Sequence, residues 1–304
     1  MRSSNGPLPA LVALLGAFVG GCSAPVVDDA QSATGSTTEA IVLVERSAAE
    51  GGVVQTNVSA KFMRLTASAD PELAERIVGG SWLELPAVGE CAAVGAGLAE
   101  ETPSLATLGS IELLDVGDLS LRTGLTLLPL ATRAFPDVGD LVSGVFYTSR
   151  DARSDLPAPA RYVLESTGSV SIDKFVVEVD APAAPEAVRV GETLLADGVT
   201  LEDSTATTIH WRASEARKNE TDLVYVDLVA ASGTSMRCTF NDSGEGLIPA
   251  SAITNKTFGP SPASISLAVH RIRQGSFVAS GIDAADLRFD LSVVGHATVV
   301  AASP

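Results

Sequence analysis

Basic residues are scarce in this chain. Lys and Arg number 20 against 37 Asp and Glu, a formal net charge of −17. Nucleic-acid binding runs on Lys and Arg neutralising phosphates, so that class is excluded, as is a polybasic membrane-surface protein. Histidine is nearly absent, at three residues, which leaves little room for imidazole chemistry. Three cysteines in 304 residues exclude a disulfide-dense scaffold and a Cys-rich zinc module. Aromatics are 5%, with two Trp and three Tyr, too few for the exposed platforms of a typical sugar-binding surface. No run is apolar for the ~20 residues a spanning helix needs.

What is present is apolar and finely divided. Hydrophobic residues are 46% and charged residues 19%, so the chain folds rather than remaining disordered. Its length suggests two domains, since single cores seldom grow beyond ~250 residues.

The first residues read as an address. Arg2 is a positive start, and Leu8 to Gly20 is an uncharged apolar run of 13 residues. That is the length of a signal-peptide core. It ends Val19-Gly20-Gly21-Cys22-Ser23. An aliphatic residue, two small residues and Cys resembles the lipobox of bacterial lipoproteins. The resemblance implies cleavage after residue 21, lipidation of Cys22 and a membrane held through that anchor. Ser23 in place of Asp favours the outer membrane. Residues 1–21 are therefore expected to be a signal peptide and 22–40 a lipidated, flexible tether, small, polar and acidic in composition. The whole chain is similar in pattern to envelope lipoproteins of high-GC Gram-negative bacteria, a resemblance that implies no activity.

From residue 41 onward strand signals dominate. Short β-branched runs bounded by Gly, Pro, Asp or Ser recur at Ile111–Leu114, Leu119–Leu121, Leu141–Tyr147, Tyr162–Glu165 and Phe175–Val179. That spacing predicts an all-β sandwich or barrel. One helix interrupts it at 71–78, with Asp70 as N-cap, Pro71 in the first turn, Leu73 and Ile77 on one face, and Gly79 to close it. Two prolines three apart, Pro182 and Pro185, mark a Pro-rich linker at 182–186 between a β-rich domain (41–181) and a second domain (187–304).

The second domain alternates cleanly. Val224, Val226 and Leu228 share a face, as do Met236, Cys238 and Phe240, Ile265, Leu267 and Val269, and Leu287, Phe289 and Leu291. One apolar and one polar face per strand is the mark of an antiparallel sheet with one wet side. Pro182, Pro185 and Val188-Arg189-Val190, followed by Thr208-Ile209-His210-Trp211, resemble the opening of a fibronectin type III or immunoglobulin-like sandwich. The resemblance implies that Trp211 is an early core residue. The expected fold is thus mainly β: two antiparallel sandwich-like domains with one or two short helices.

Candidate chemistry is sparse. There is no G-x-S-x-G, H-E-x-x-H or P-loop, and no motif sets a nucleophile beside a base. His210 and His270 fall on polar strand faces, where with Asp290 they could bind a transition metal but are read as solvated. His270, Arg271, Arg273 and Arg288 form a small basic patch, with Arg288 expected to pair with Asp286 or Asp290. Glu202 and Asp203 in one loop, and Asp242 and Glu245 in another, form a candidate ligand loop set for Ca²⁺ or a basic partner, because Ca²⁺ takes six to eight oxygen ligands. No other cofactor is expected. Trp82 or Tyr147 could serve a carbohydrate-binding module. Cys91 and Cys238 would be the only thiols left after lipidation, and an oxidising envelope permits them to pair. The functional expectation is a lipid-anchored envelope module that binds an envelope protein partner or builds structure, without catalysis. The alternatives are an envelope hydrolase and a carbohydrate-binding module.

Overall fold

A computed structural model describes residues 35–49, 54–66, 69, 71–78, 83–94, 110–136, 141–149, 156–215 and 222–302. The expected signal peptide, Cys22 and most of the tether lie outside these residues, as do Asp70, Gly79 and Trp82. Residues 35–304 cluster as one compact unit.

The fold is mainly β, with two sheets and two short α-helices among the described residues. In chain order the strands are β1 (Thr37–Ala49), β2 (Val54–Leu65), β3 (Cys91–Ala93), β4 (Ile111–Leu113), β5 (Leu119–Thr123) and β6 (Thr126–Ala134). Then come β7 (Val142–Ser149), β8 (Ala160–Ser166), β9 (Phe175–Ala181), β10 (Arg189–Val190), β11 (Thr193–Leu194) and β12 (Val199–Glu202). The last six are β13 (Thr207–His210), β14 (Asp222–Ala230), β15 (Ser235–Asn241), β16 (Glu245–Ile248), β17 (Ala263–Ser276) and β18 (Ala284–Val300). Helix α1 spans Pro71–Ile77 and α2 spans Asn255–Phe258.

The large sheet has 14 strands, in the order β3-β15-β14-β17-β18-β1-β2-β4-β7-β6-β5-β8-β9, with β12 also paired to β18. The small sheet orders β11-β10-β13-β16. Strand β18 organises the molecule. It lies antiparallel to β17 and parallel to β1, so that Val42 is opposite Leu287 and Val44 opposite Phe289. Its odd-numbered face is apolar along its whole length. Leu287, Phe289 and Leu291 enter one core with Val42, Val44, Phe62, Leu121, Tyr162 and Phe175. Ala297 and Val299 enter a second, with Trp211, Val224, Val226, Phe240, Ile265 and Leu267. The β5-β8-β9 end of the large sheet thus covers the first core, and the small sheet covers the second. Each fully buried Val, Leu or Phe contributes on the order of 1.5–3 kcal/mol.

Along the chain the first core gives way to the second across 182–186, the expected linker. That segment is packed: Pro182 and Pro185 are buried, and the carbonyls of Ala183 and Ala184 accept from Arg271 at 2.8 and 3.1 Å. Strand β18 runs through both cores, and β1 joins it across more than 200 residues of sequence. The halves therefore share one sheet. The tether is also shorter than expected, because Thr37 to Ala40 already belong to β1 and pair with Phe62 to Leu65.

The expected helix is present but rotated. Ala74 and Val78 are buried against Met63, Leu65, Ile111 and Leu113, while Leu73 is only half-buried. The small Ala74 side chain lets the helix backbone approach the sheet. Close approach also explains Gly144: its φ is +115°, and a Cβ there would lie 1.9 Å from the Leu113 carbonyl oxygen.

Cys91 and Cys238 face each other across β3 and β15 and are joined by a disulfide. Although the two cysteines fall on either side of the expected linker, β3 is an edge strand of the same sheet as β15.

Candidate functional site

The second face of the large sheet, opposite both cores, carries a polar network that strand alternation creates. Where Val224, Val226 and Leu228 of β14 point into the core, Tyr225 and Asp227 point away. On β15 Arg237 does the same beside Cys238. On β17, β18, β1 and β2 the corresponding residues are His270, Asp290, Glu45 and Lys61.

At the centre is Asp290. His270 donates through Nδ1 to Asp290 Oδ1 at 2.8 Å, and the Tyr225 hydroxyl donates to Oδ2 at 2.5 Å. The His270 ring stacks on Tyr225, with centroids 4.2 Å apart. From the opposite neighbouring strand the Arg237 guanidinium lies 4.6 Å from the Tyr225 ring centroid. Arg237 is held by a bidentate pair with Asp227 at 2.8 and 2.7 Å. His270 was expected to be solvated; its side chain is only 17% exposed, because ring stacking and the carboxylate withdraw it from water.

The electrostatics follow from this packing. Burial alone would raise the Asp290 carboxyl, but the His270 and Tyr225 hydrogen bonds and the His270 charge hold it below the usual range. Burial and the Asp290 carboxylate push the Tyr225 phenol up. Glu45 is pushed up by lost hydration and then by Asp290 beside it. Burial pushes the Lys61 ammonium down, and Glu45 partly restores it.

Beside the network runs a groove of ≈ 280 Å³, lined by Glu45, Arg46 and Ser47 of β1, Gln55 and Asn57 of β2, His270 of β17, and Asp290, Ser292 and Val294 of β18. Eight of these nine side chains are polar. The groove mixes donors, acceptors and both charges, and it suits a hydrogen-bonding polar ligand rather than an apolar one.

A larger hollow of ≈ 520 Å³ lies where the two cores meet, lined by Arg161, Asp180, Pro182, Glu186, Arg212, Ser214 and Arg273 among others. Its charges are committed to one another and to the fold. Arg161 pairs with Asp180 at 3.0 Å and Arg212 with Glu186 at 2.6 Å, while Arg273 grips Asp222 at 2.7 and 2.8 Å. Residues 216–221, which follow the lining residue Glu215, lie outside the described residues.

The loop acids expected to bind Ca²⁺ or a partner are not gathered. Asp242 is buried, its side chain 6% exposed, and is spent inside the fold. It pairs with Arg271 Nε at 2.9 Å, accepts the Trp211 indole N–H at 2.6 Å and accepts the Ser214 backbone N–H at 2.9 Å. Asp203 accepts from the backbone and side-chain amides of Asn255, both at 2.9 Å, and so fixes the start of α2. Glu245 is exposed and lies 4.0 Å from His210, and Glu202 is exposed. Among the described residues no group of three or more His, Cys, Asp or Glu is placed to hold a metal ion. The basic patch also separates. Arg271 and Arg273 are buried on the core side, opposite His270, because residues one apart on a strand face opposite ways. Tyr147 is fully buried, with its hydroxyl donating to Asp115 at 2.7 Å, and offers no sugar platform. Trp211 is a core residue, as its position in the strand pattern implied.

Sequence reading passed over Tyr225, Asp227, Arg237, Glu45 and Lys61. The signal was present in the alternation, which put polar residues opposite every apolar face; which of them meet depends on strand order.

No family model matches the chain, and no curated protein does. Among solved structures, the chain is similar to the zebrafish (Danio rerio) Fcho1 Mu homology domain with bound Eps15 peptide, at 12% identity and a TM-score of 0.24, over 87% of this chain and 97% of that one. A second is Rst D1-D2, at 7% identity and a TM-score of 0.18, over 71% of this chain and 93% of that one. Overlaps this low add nothing to the reading of the site.

Proposed function

We propose that this chain is a lipid-anchored module of the cell envelope that binds a partner through the polar groove of its large sheet, without catalysis of its own. The observation that carries the envelope assignment is the Cys91–Cys238 disulfide. Such bonds persist in oxidising compartments and are rare in the reducing cytosol. That supports export, and Val19-Gly20-Gly21-Cys22 at the end of an apolar run supports lipidation. The binding role rests on the groove, whose polar side chains stand on rigid strands rather than loops. The non-catalytic reading rests on the sequence, in which no motif sets a nucleophile beside a base.

Pull-down from envelope extracts tests it. A partner captured by the wild type and lost with Gln55→Ala/Asn57→Ala, while Glu202→Ala still captures it, is the expected result. Turnover of a generic ester, peptide or glycoside substrate that His270→Ala abolishes without unfolding overturns the non-catalytic reading.

A further inference from the structure

The end of the molecule at which β1 begins carries the two most exposed valines among the described residues. Strand β1 begins at Thr37, and the position is fixed by a reciprocal pair: the Thr38 N–H donates to Asp283 Oδ2 at 2.8 Å, and the Asp283 N–H donates to the Thr38 carbonyl at 2.8 Å. Asp283 closes the loop between β17 and β18. That loop is joined to the one between β8 and β9 by Ser280, whose hydroxyl donates to Asp173 at 2.9 Å. Three features therefore share one end of the large sheet: the start of β1, the 277–283 loop and the 167–174 loop.

Both loops are built in the same way. Ile172 anchors one in the first core, and Ala279 and Ile282 anchor the other. Just before these anchors, Val170 and Val278 are turned fully into solvent, at 106% and 93% exposure. The loops are ordered by their own bonds. Ser169 N–H donates to the Ile172 carbonyl at 2.8 Å, the Ser169 hydroxyl donates to the Asp115 carbonyl at 2.6 Å, and Ile282 N–H donates to Ala279 at 3.1 Å. Each loop thus holds its valine out in solvent while a residue one or two positions further on is anchored in the core.

We propose that Val170 and Val278 form a membrane-facing tip that docks on a zwitterionic phospholipid surface beside the lipid anchor. The occupant is argued from where the chain leads. Residues 22–36 connect Cys22 to β1, and 15 residues span at most ~50 Å even fully extended. A chain lipidated at Cys22 therefore enters the folded part at this end, whereas the Leu125 hairpin lies at the opposite end of β5. The charge of the tip selects the lipid. Asp173, Asp283 and Asp286 sit at this end, and like charges repel, so an anionic surface is disfavoured.

The inference rests on lipidation of Cys22, and the test separates the two. The full chain is produced in a lipoprotein-processing host, its lipidation read by intact mass, and reconstituted into phosphatidylcholine vesicles. Val170→Trp, Val278→Trp and Leu125→Trp are compared with wild type in vesicles of brominated phosphatidylcholine. The substituted side chains are fully exposed, so the fold is preserved, and near-UV circular dichroism checks it. The expected result is blue-shifted, bromine-quenched emission from the added tryptophan at 170 and 278 and not at 125, weakening when anionic lipid is mixed in. A lipidated chain that stays with the vesicles but shows no quenching at 170 and 278 overturns the tip alone. Equal quenching at all three positions also overturns it. A chain that is unlipidated and remains soluble overturns the anchor and the tip together.

Discussion

Two buried arginine–aspartate pairs sit at the junction of the cores, their arginines on the face of β17 that also carries Ile265, Leu267 and Val269. Arg273 and Asp222 are cross-strand neighbours, and Arg271 is 1% exposed against Asp242. Removing one partner of a buried pair strands the other charge at a cost of roughly 3–5 kcal/mol. Asp222→Ala should therefore destabilise by about 3–5 kcal/mol in urea unfolding. Glu202→Ala and Glu245→Ala, on exposed groups, should stay within about 0.5 kcal/mol of wild type. Acid should weaken the same pairs. Burial works against the Asp242 carboxylate, but the hydrogen bonds from Arg271, Ser214 and Trp211 outweigh it and hold the group below its usual 3.8. A carboxyl depressed on folding contributes stability that is full above its unfolded value and is lost as pH falls through its folded one. Asp290 acts in the same sense. Glu39 and Glu45, both raised above their usual 4.5, act in the opposite sense. Stability measured from pH 6 down to pH 2 should thus fall chiefly below pH ~4, and Asp242→Asn should lower the plateau and flatten that fall.

Elements are tied together at three kinds of joint. The first is close approach of backbones: β4 and β7 meet where Gly144 leaves no room for a Cβ. Gly144→Ala should cost more than ~2 kcal/mol, through both the clash and the positive φ, and thermal unfolding would show it. The second is the covalent joint between β3 and β15, which closes a sequence separation of 147 residues. Cross-links over loops of that size contribute on the order of 2–5 kcal/mol, mainly by restricting the unfolded chain. Thiol labelling in denaturant without reductant should find neither Cys91 nor Cys238 free, and Cys91→Ser/Cys238→Ser should lower the midpoint of unfolding. The third is β18, whose parallel pairing with β1 makes the last strand depend on the first. Deleting residues 37–49 should therefore expose one edge of β18 and unfold the first core, which circular dichroism would register.

For the whole molecule, a sheet shared by two cores predicts a single cooperative transition rather than two. The packed 182–186 segment should resist proteases under native conditions, since its carbonyls are held by Arg271 and its prolines are buried. Native limited proteolysis should leave the two cores connected. An early cut at 182–186 would mean that the junction opens. A net charge of −17 favours the solubility of such a body through self-repulsion between copies.

Composition and period were enough to read the class of fold. Alternating residues such as Val224, Val226 and Leu228 name their own inner face, because a strand has only two sides. The expectations of no nucleic-acid partner and of an address at Cys22 rest on equally local signals, charge counts and a short contiguous pattern. What tertiary structure decided was which strands are neighbours. Parallel pairing of β1 with β18 leaves no trace in either segment, and it alone brings Glu45 beside Asp290. The same holds for Tyr225, His270 and Asp290, which lie on three strands of known facing but unknowable order. Loop acids such as Asp242 looked free because polarity suggests solvent. Its burial depended on Arg271, a residue of β17 that only the strand order β15-β14-β17 brings beside it. Register and order arise from long-range burial, which no window of sequence contains.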